Sequence, residues 1–373
     1  MEGSSPSKLV VYKRQKKDGS LVKKDKITED QKKDVAEQSS SFGSKCSGHK
    51  LCKLANELNE AQKQAIEEIG FGGLLKMNLS RTLNTMSSWL VECFNSTSCV
   101  FSVTPFKEFR VTSFDVYDIL CLPLNTSKNV VEISRGKNEG NPNFHFKMGW
   151  RQYFGVTNPN GQISLKVVHS KLLELVDGGD TFKKLFVMYA FSSFLAPTAS
   201  GILDLRLAMA VDNVSEIKSL NWSKYVLERL RAATKLYKEQ KCRTEKTDNF
   251  GGCIVLLQLM YFHHINAYDT TIPDTLPLIQ HWDNGKVFNR IKLECECGEY
   301  GKGLLDNKYP ISENYLFKDG QMDPTRLAGK VIVPIMEHPS IPEDVIPRLM
   351  GPTISGGEAG SAHQEAQTEA PPC

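Results

Sequence analysis

Phe250-Gly251-Gly252-Cys253-Ile254-Val255-Leu256-Leu257-Gln258-Leu259-Met260-Tyr261-Phe262-His263-His264-Ile265 is the stretch whose reading decides the fold. It is apolar nearly all the way round a helix, and such a helix belongs at the centre of a bundle. Upstream, Trp222, Val226, Leu230, Ala233 and Tyr237 share one face of an amphipathic helix predicted over 221–240. Further helices are expected near 170–176, 181–195 and 204–211. Leu54, Leu58, Ala61, Ala65, Ile66 and Ile69 place one at the start of the ordered body, with Gly70 as its C-cap. Phe71-Gly72-Gly73-Leu74-Leu75 then reads as a turn. Leu83, Met86, Leu90 and Phe94 mark a second helix, with Trp89 beside the stripe.

One β signature interrupts the helices. Cys99, Phe101 and Val103 alternate with polar neighbours, Pro105 turns the chain, and Phe109 and Val111 alternate again, which is the pattern of a hairpin. Thr112 or Ser113 can cap a following helix that carries Val116, Ile119 and Leu120 and stops at Pro123. Residues 125–165, rich in Asn, Gly and Lys, read as a long surface loop with a strand near Ile163–Val168. The expected class is mainly α: an irregular helical bundle with a small β-hairpin, flanked by disordered termini. The expected divisions are a disordered basic tail over 1–52, a helical body over 53–300, an extended, weakly ordered segment over 301–350 and a disordered tail over 351–373.

The length of 373 residues suits one large domain or two ordinary ones, and 40% hydrophobic residues allow a sizeable core. The net charge is only +3, which does not mark the whole molecule as a polyanion binder. The charge is uneven, however: residues 1–50 hold 12 Lys and Arg against 7 Asp and Glu. Ten scattered cysteines, several inside apolar runs, read as reduced thiols of a cytosolic or nuclear protein rather than a disulfide framework. The N-terminus, Met-Glu-Gly-Ser-Ser-Pro, has no apolar core and does not read as a secretory signal. Leu185–Leu203 carries no charge, but Pro197 should break a helix there. That run reads as a buried core helix and a turn, so no membrane partner is expected.

The order of these features resembles the plant mobile domain and its relatives, found in transposon-derived plant proteins. Ile69-Gly70-Phe71-Gly72-Gly73-Leu74-Leu75 is similar to the family's opening. The run from Phe109 through Thr112, Asp115, Val116 and Leu120 to Pro123 looks like its strand, "T-x-x-D-V" helix start and "L-x-L-P" end. Phe191-Ser192-Ser193-Phe194-Leu195-Ala196-Pro197-Thr198 resembles its "F-x-x-x-F-L-x-P-T" segment. Asn221-Trp222-Ser223-Lys224-Tyr225-Val226-Leu227 resembles "N-W-A-x-F-V-L", and Gly251-Gly252-Cys253 with Leu256, Leu257 and Leu259 resembles the "G-G-C" helix. The resemblance covers roughly Ile66 to Leu293. It implies a nuclear interaction module of transposon origin. Relatives of this region also lie upstream of SUMO-protease-like cysteine peptidase domains, so the alternative is the N-terminal region of a truncated peptidase of that kind. The label "aminotransferase-like" that some members carry has no chemical counterpart here, since no Lys has the surroundings of a pyridoxal phosphate Schiff base.

Candidate sites are few. Cys46, His49 and Cys52 lie close enough in sequence for zinc, and Cys295 and Cys297 could add ligands, but the tetrahedral set is incomplete. His263 and His264 could form a base or ligand pair, or pair with Cys253 or Cys121. The simpler reading sets their imidazoles against the negative end of a helix. Gly298 to Gly303 only loosely resembles a phosphate loop. Lys224, Arg229, Arg231, Lys235, Lys238, Lys241, Arg243 and Lys246 form a basic stretch, either a solvated helix face or a phosphate contact. Lys13, Arg14, Lys16, Lys17, Lys23, Lys24 and Lys26 make a nuclear-localisation candidate in the N-terminal tail. No catalytic residue, cofactor or metal is expected. A protein partner of unknown identity is, with nucleic acid a further possibility.

Overall fold

A computed structural model of the chain describes residues 42–318, apart from 81–85, 134–142, 198–200, 244–248, 268–271 and 297–299, together with 12–14, 21–23 and 321–322. For 12–14, 21–23, 314–318 and 321–322 the backbone alone is described. All of these residues fall in one unit, Met1–Gly329. The tails expected over 1–52 and 351–373 lie outside the described residues except where noted below.

The chain is mainly α-helical, with twelve α-helices among the described residues. β1 (Tyr12–Arg14) pairs antiparallel with β2 (Leu21–Lys23). Then come α1 (Gly48–Glu57), α2 (Glu60–Glu68), α3 (Ser87–Cys93), β3 (Phe94–Asn95), β4 (Val100–Thr104), β5 (Lys107–Arg110) and α4 (Ser113–Leu120). They are followed by α5 (Phe144–Tyr153), α6 (Leu165–Glu174), α7 (Asp180–Ala190), α8 (Val214–Ile217) and α9 (Trp222–Arg243). The last are α10 (Ile254–His264), β6 (Ile265–Asn266), α11 (Asn284–Glu296), β7 (Leu304–Leu305) and α12 (Ile311–Leu316). The hairpin β4–β5 gains β3 as a third antiparallel strand, with Phe94 opposite Phe101 and Phe101 opposite Phe109.

Every residue of α10 is buried, as an all-round apolar helix requires. α3 and α4 pack against it, and α4 also receives α9 and α12. Thr112 begins α4 with a capping box: its hydroxyl accepts from the Phe114 N–H, and its own N–H donates to the Asp115 carboxylate at 2.6 Å. The helix stops at Cys121, in a left-handed conformation (φ 48°), two residues before Pro123. Trp222 is fully buried against Phe71 and Phe191, with ring centroids 5.6 and 5.2 Å away. Its indole N–H donates to the Ile217 carbonyl at 2.7 Å. Beyond α7 the helix widens into a π-turn at Phe191–Leu195, where the Ser192 and Ser193 hydroxyls donate back to the Met188 and Tyr189 carbonyls. It ends before Pro197, and among the described residues no helix is long and apolar enough to cross a membrane.

The structure corrects several boundaries. The packed body begins by Phe42 rather than Lys53: Phe42 is buried between Tyr237 and Phe250, centroids 5.3 and 5.7 Å away, and Gly43 O accepts from Phe250 N. A lone apolar residue in a Ser-rich run has no periodicity to reveal it. The helix read over Leu54–Ile69 is two helices. Leu58 is extended, and Asn59 opens α2 by a capping box with Gln62, leaving Ala61 exposed. The Phe71–Leu75 turn is a 3₁₀ helix over Gly72–Lys76. The loop read over 125–165 contains α5, whose Phe146 and Trp150 are only partly buried and so leave a faint stripe. The strand near Ile163–Val168 is the start of α6, capped by Ser164. The segment after 300 is packed as far as Ser312, with Tyr309, Ile311 and Ser312 buried.

Deleting the Trp222 side chain leaves a large cavity in this core. Trp222→Ala should cost about 3–5 kcal/mol, the usual range for a buried large aromatic. Thermal unfolding checks it, and an unchanged melting temperature would contradict the burial.

Candidate functional site

A helix with no exposed face must find internal partners for its polar side chains. Tyr261, His263 and His264 pose that problem at the end of α10. His264 is buried, stacks on Phe109 with a centroid separation of 4.0 Å, and its Nε2 donates to Asp115 Oδ1 at 2.5 Å. His263 is buried on another side. Its Nε2 accepts the indole N–H of Trp282 at 3.0 Å, so the proton of a neutral ring sits on Nδ1, which has no hydrogen-bond partner. Burial holds this ring far below its usual range, at about 3. Both imidazoles stand in the last turn of α10, as the sequence reading has them, but each is also committed to one side chain, and His263 is kept neutral.

Tyr261 joins a second network. Its hydroxyl donates to both carboxylate oxygens of Glu294, at 3.0 and 2.9 Å. Glu294 also accepts from Arg290 Nε at 3.0 Å and from the Gly301 N–H at 3.0 Å. Arg290 Nη2 donates to the Ile265 carbonyl at 2.6 Å, and the guanidinium lies 5.0 Å from the Phe262 ring centre. Arg290 and Glu294 are one turn apart on α11 and almost fully buried, which brings a charged pair inward where a surface pair would be expected. The adjoining loop is latched by Lys107, whose ammonium donates to the carbonyls of Gly301, Lys302 and Gly303 at 2.9, 3.2 and 2.8 Å. Nearby, the Asp118 carboxylate accepts from the Ser312 N–H at the start of α12. Burial lifts this carboxyl to about 7.

Above these networks lies a cleft of about 420 Å³ between α11 and the segment leading into it. Ile272, Pro273, Trp282 and Leu293 supply apolar wall, while His281, Lys286, Arg290 and Lys292 supply basic groups. Asn289 and Glu296 complete the lining. Lys286 donates to the His281 carbonyl at 2.7 Å, and Lys292 lies 3.8 Å from Glu296. Trp282 is the wall that His263 pins from behind. The cleft can take an elongated ligand with an apolar part and an anionic part.

The sequence matches a family described as a domain of unknown function (DUF8566) over residues 44–258. The chain belongs to this family. No curated protein and no solved structure matches it. The span shared with the DUF8566 family ends inside α10, so the cleft is built by the part of the chain that follows.

The sites read from sequence fare unequally. Lys13, Arg14 and Lys23 lie in the paired strands β1 and β2, while Lys16, Lys17, Lys24 and Lys26 lie outside the described residues. Cys46, His49 and Cys52 do not converge: Cys46 sits 3.8 Å from Cys253, Cys52 donates to the Met77 carbonyl, and His49 is exposed. Cys297 lies outside the described residues, and among them no three potential ligands cluster for a metal. Cys253 is the N-cap residue of α10 and His263 lies in its last turn, roughly 15 Å apart at 1.5 Å per residue, and burial pushes the Cys121 thiol up to about 12. The reading of 224–246 as a solvated face is corrected for its central cations. Arg231 donates to the Ser96 and Thr97 carbonyls, Lys238 to those of Glu92 and Phe94, and Lys241 pairs with Glu92. These residues clamp α3 and the β3 turn. Trp282, Arg290 and Glu294 were not singled out in the sequence. The buried face Val287, Arg290, Ile291, Glu294 has helical spacing, but two of its four members are charged.

His263 and Asp118 give the fold opposed pH dependences. The unfolded His263 takes a proton near 6.5 and the folded one near 3, so stability present above pH 6.5 is lost as pH falls towards 3. Asp118 is shed of its proton near 3.8 when unfolded and near 7 when folded, so stability present below pH 3.8 is lost as pH rises through 7. Urea midpoints measured from pH 6.5 to 4.5 should therefore fall less steeply in His263→Gln than in the parent chain, and more steeply in Asp118→Asn. Identical slopes in all three would refute both assignments.

Proposed function

We propose that the chain is a non-enzymatic interaction module that works in the nucleus, similar to plant mobile domain proteins of transposon origin. The observation that carries the reading is the Trp282 cleft, an open concavity with apolar wall and basic rim. Side chains suited to acid–base chemistry are committed to the fold instead. Asp115 serves His264 and a helix cap, His263 serves Trp282, His169 serves Glu57 and Tyr189, and Glu294 serves Arg290 and Tyr261. The ordered motifs from Ile69 to Leu259 support the kinship, and the Lys/Arg clusters of the N-terminal tail support nuclear entry.

The docking role is tested with Asn289→Trp, which places a large side chain on an exposed position of the cleft. Affinity capture from an extract of the cells that express the chain, read by quantitative mass spectrometry, should yield proteins that bind the parent chain and are lost from the variant. Partners retained equally by both would refute the cleft as the docking surface.

Nuclear entry is tested on the full chain fused to a fluorescent protein too large to diffuse through nuclear pores. Replacing Lys13, Arg14, Lys16, Lys17, Lys23, Lys24 and Lys26 by Ala should abolish nuclear accumulation, and unchanged accumulation would remove the tail from the account.

A further inference from the structure

We infer that the Trp282 cleft recognises an acidic peptide segment, one in which Asp or Glu neighbours a bulky apolar residue. The inference rests on the docking role proposed above and specifies the chemistry of the partner. Two independent observations point to a carboxylate. The first is the charge of the rim, where His281, Lys286 and Lys292 stand against one acidic lining residue, Glu296, which lies 3.8 Å from Lys292. The Lys286 ammonium is held against a carbonyl dipole and, among the described residues, pairs with no carboxylate, although the backbone N–H of Lys286 donates to Asp283. The second is Arg290. This residue is 5% exposed, and its Nε and Nη2 are satisfied by Glu294 and the Ile265 carbonyl. Its Nη1 is buried with no hydrogen-bond partner. A buried guanidinium nitrogen without an acceptor is costly, and because Arg290 lines the cleft, a carboxylate that enters deeply enough to displace the side chains covering this nitrogen would supply the acceptor.

The apolar half of the ligand follows from Ile272, Pro273, Trp282 and Leu293. Trp282 cannot swing away, because its N–H is tied to a neutral, buried imidazole. Its ring packs on Phe262 of the buried central helix, with centroids 4.9 Å apart and the planes tilted by 31°. The wall is therefore preorganised, and little ordering cost falls on binding. A volume of about 420 Å³ accommodates a few side chains of an extended segment rather than a folded domain. Carboxylates at the rim would meet Lys286 and Lys292, and one reaching the floor would meet Arg290, a geometry in which guanidinium–carboxylate pairing is strong.

The test is selection from a random 12-residue peptide phage library on the immobilised full chain. Parallel selections use Lys286→Glu/Lys292→Glu and Asn289→Trp. Both lysines and Asn289 are exposed, so neither variant disturbs the core. The expected result is enrichment of peptides pairing Asp or Glu with Leu, Ile, Phe or Trp, absent from both variants. A synthetic copy of one such peptide should bind the charge-reversed chain roughly tenfold or more weakly, since like charges oppose it, and its affinity for the parent chain should fall with salt. Peptides that Asn289→Trp removes but charge reversal spares would overturn the acidic assignment while leaving the docking role standing. Peptides indifferent to Asn289→Trp, or no enrichment at all, would overturn both.

Discussion

A helix with no exposed face has nowhere to put a polar atom except against another part of the chain. That constraint, imposed by α10, organises the structure around it. Its apolar residues need only be surrounded, but Tyr261, His263 and His264 need specific partners, because an unmet buried donor or acceptor costs about 1–3 kcal/mol. The partners come from widely separated stretches: Asp115 from α4, Trp282 from the approach to α11, and Glu294 from α11 itself. Each bond fixes one element against the central helix in direction as well as distance. Apolar contact alone fixes distance far more loosely.

The same arrangement explains why α4 is a meeting point. Its two buried carboxylates face different tasks. Asp115 completes the cap of its own helix and holds His264. Asp118, one turn on, receives the first amides of α12, and is thereby driven towards protonation by the apolar surroundings it must enter. From Tyr300 onward the described chain is attached by such polar fastenings as well as by the packing of Tyr309 and Ile311: Gly301 on Glu294, three carbonyls on Lys107, Tyr309 on Asp274 at 2.7 Å. Polar fastenings of this sort depend on geometry and pH, whereas the aromatic packing around Trp222 and Phe191 depends on neither charge nor protonation.

For binding, the consequence is a cleft whose wall is held from within. Trp282 is oriented by His263, and Arg290 is held in place by Glu294, the Ile265 carbonyl and the rings of Tyr261 and Phe262. Recognition surfaces built on rigid elements keep their shape between free and bound states. The groups that line the cleft are therefore set by residues that lie behind it.

The sequence by itself determined the helical class, the central position of 254–264, the hairpin around Pro105 and the Thr112 cap, because each is a local pattern of apolar spacing or capping chemistry. It also singled out His263 and His264, but as neighbours on one helix end rather than as members of two networks. Only the tertiary structure decided that Phe42 belongs to the core, that the cations of α9 clamp α3 and β3, and that Arg290 and Glu294 turn inward. Those outcomes rest on partners more than a hundred residues away, or on a charged pair occupying positions where periodicity expects apolar residues. A single strand of sequence records which side chains are polar. Which of them will be deprived of water, and by what, is settled when distant segments close around the central helix.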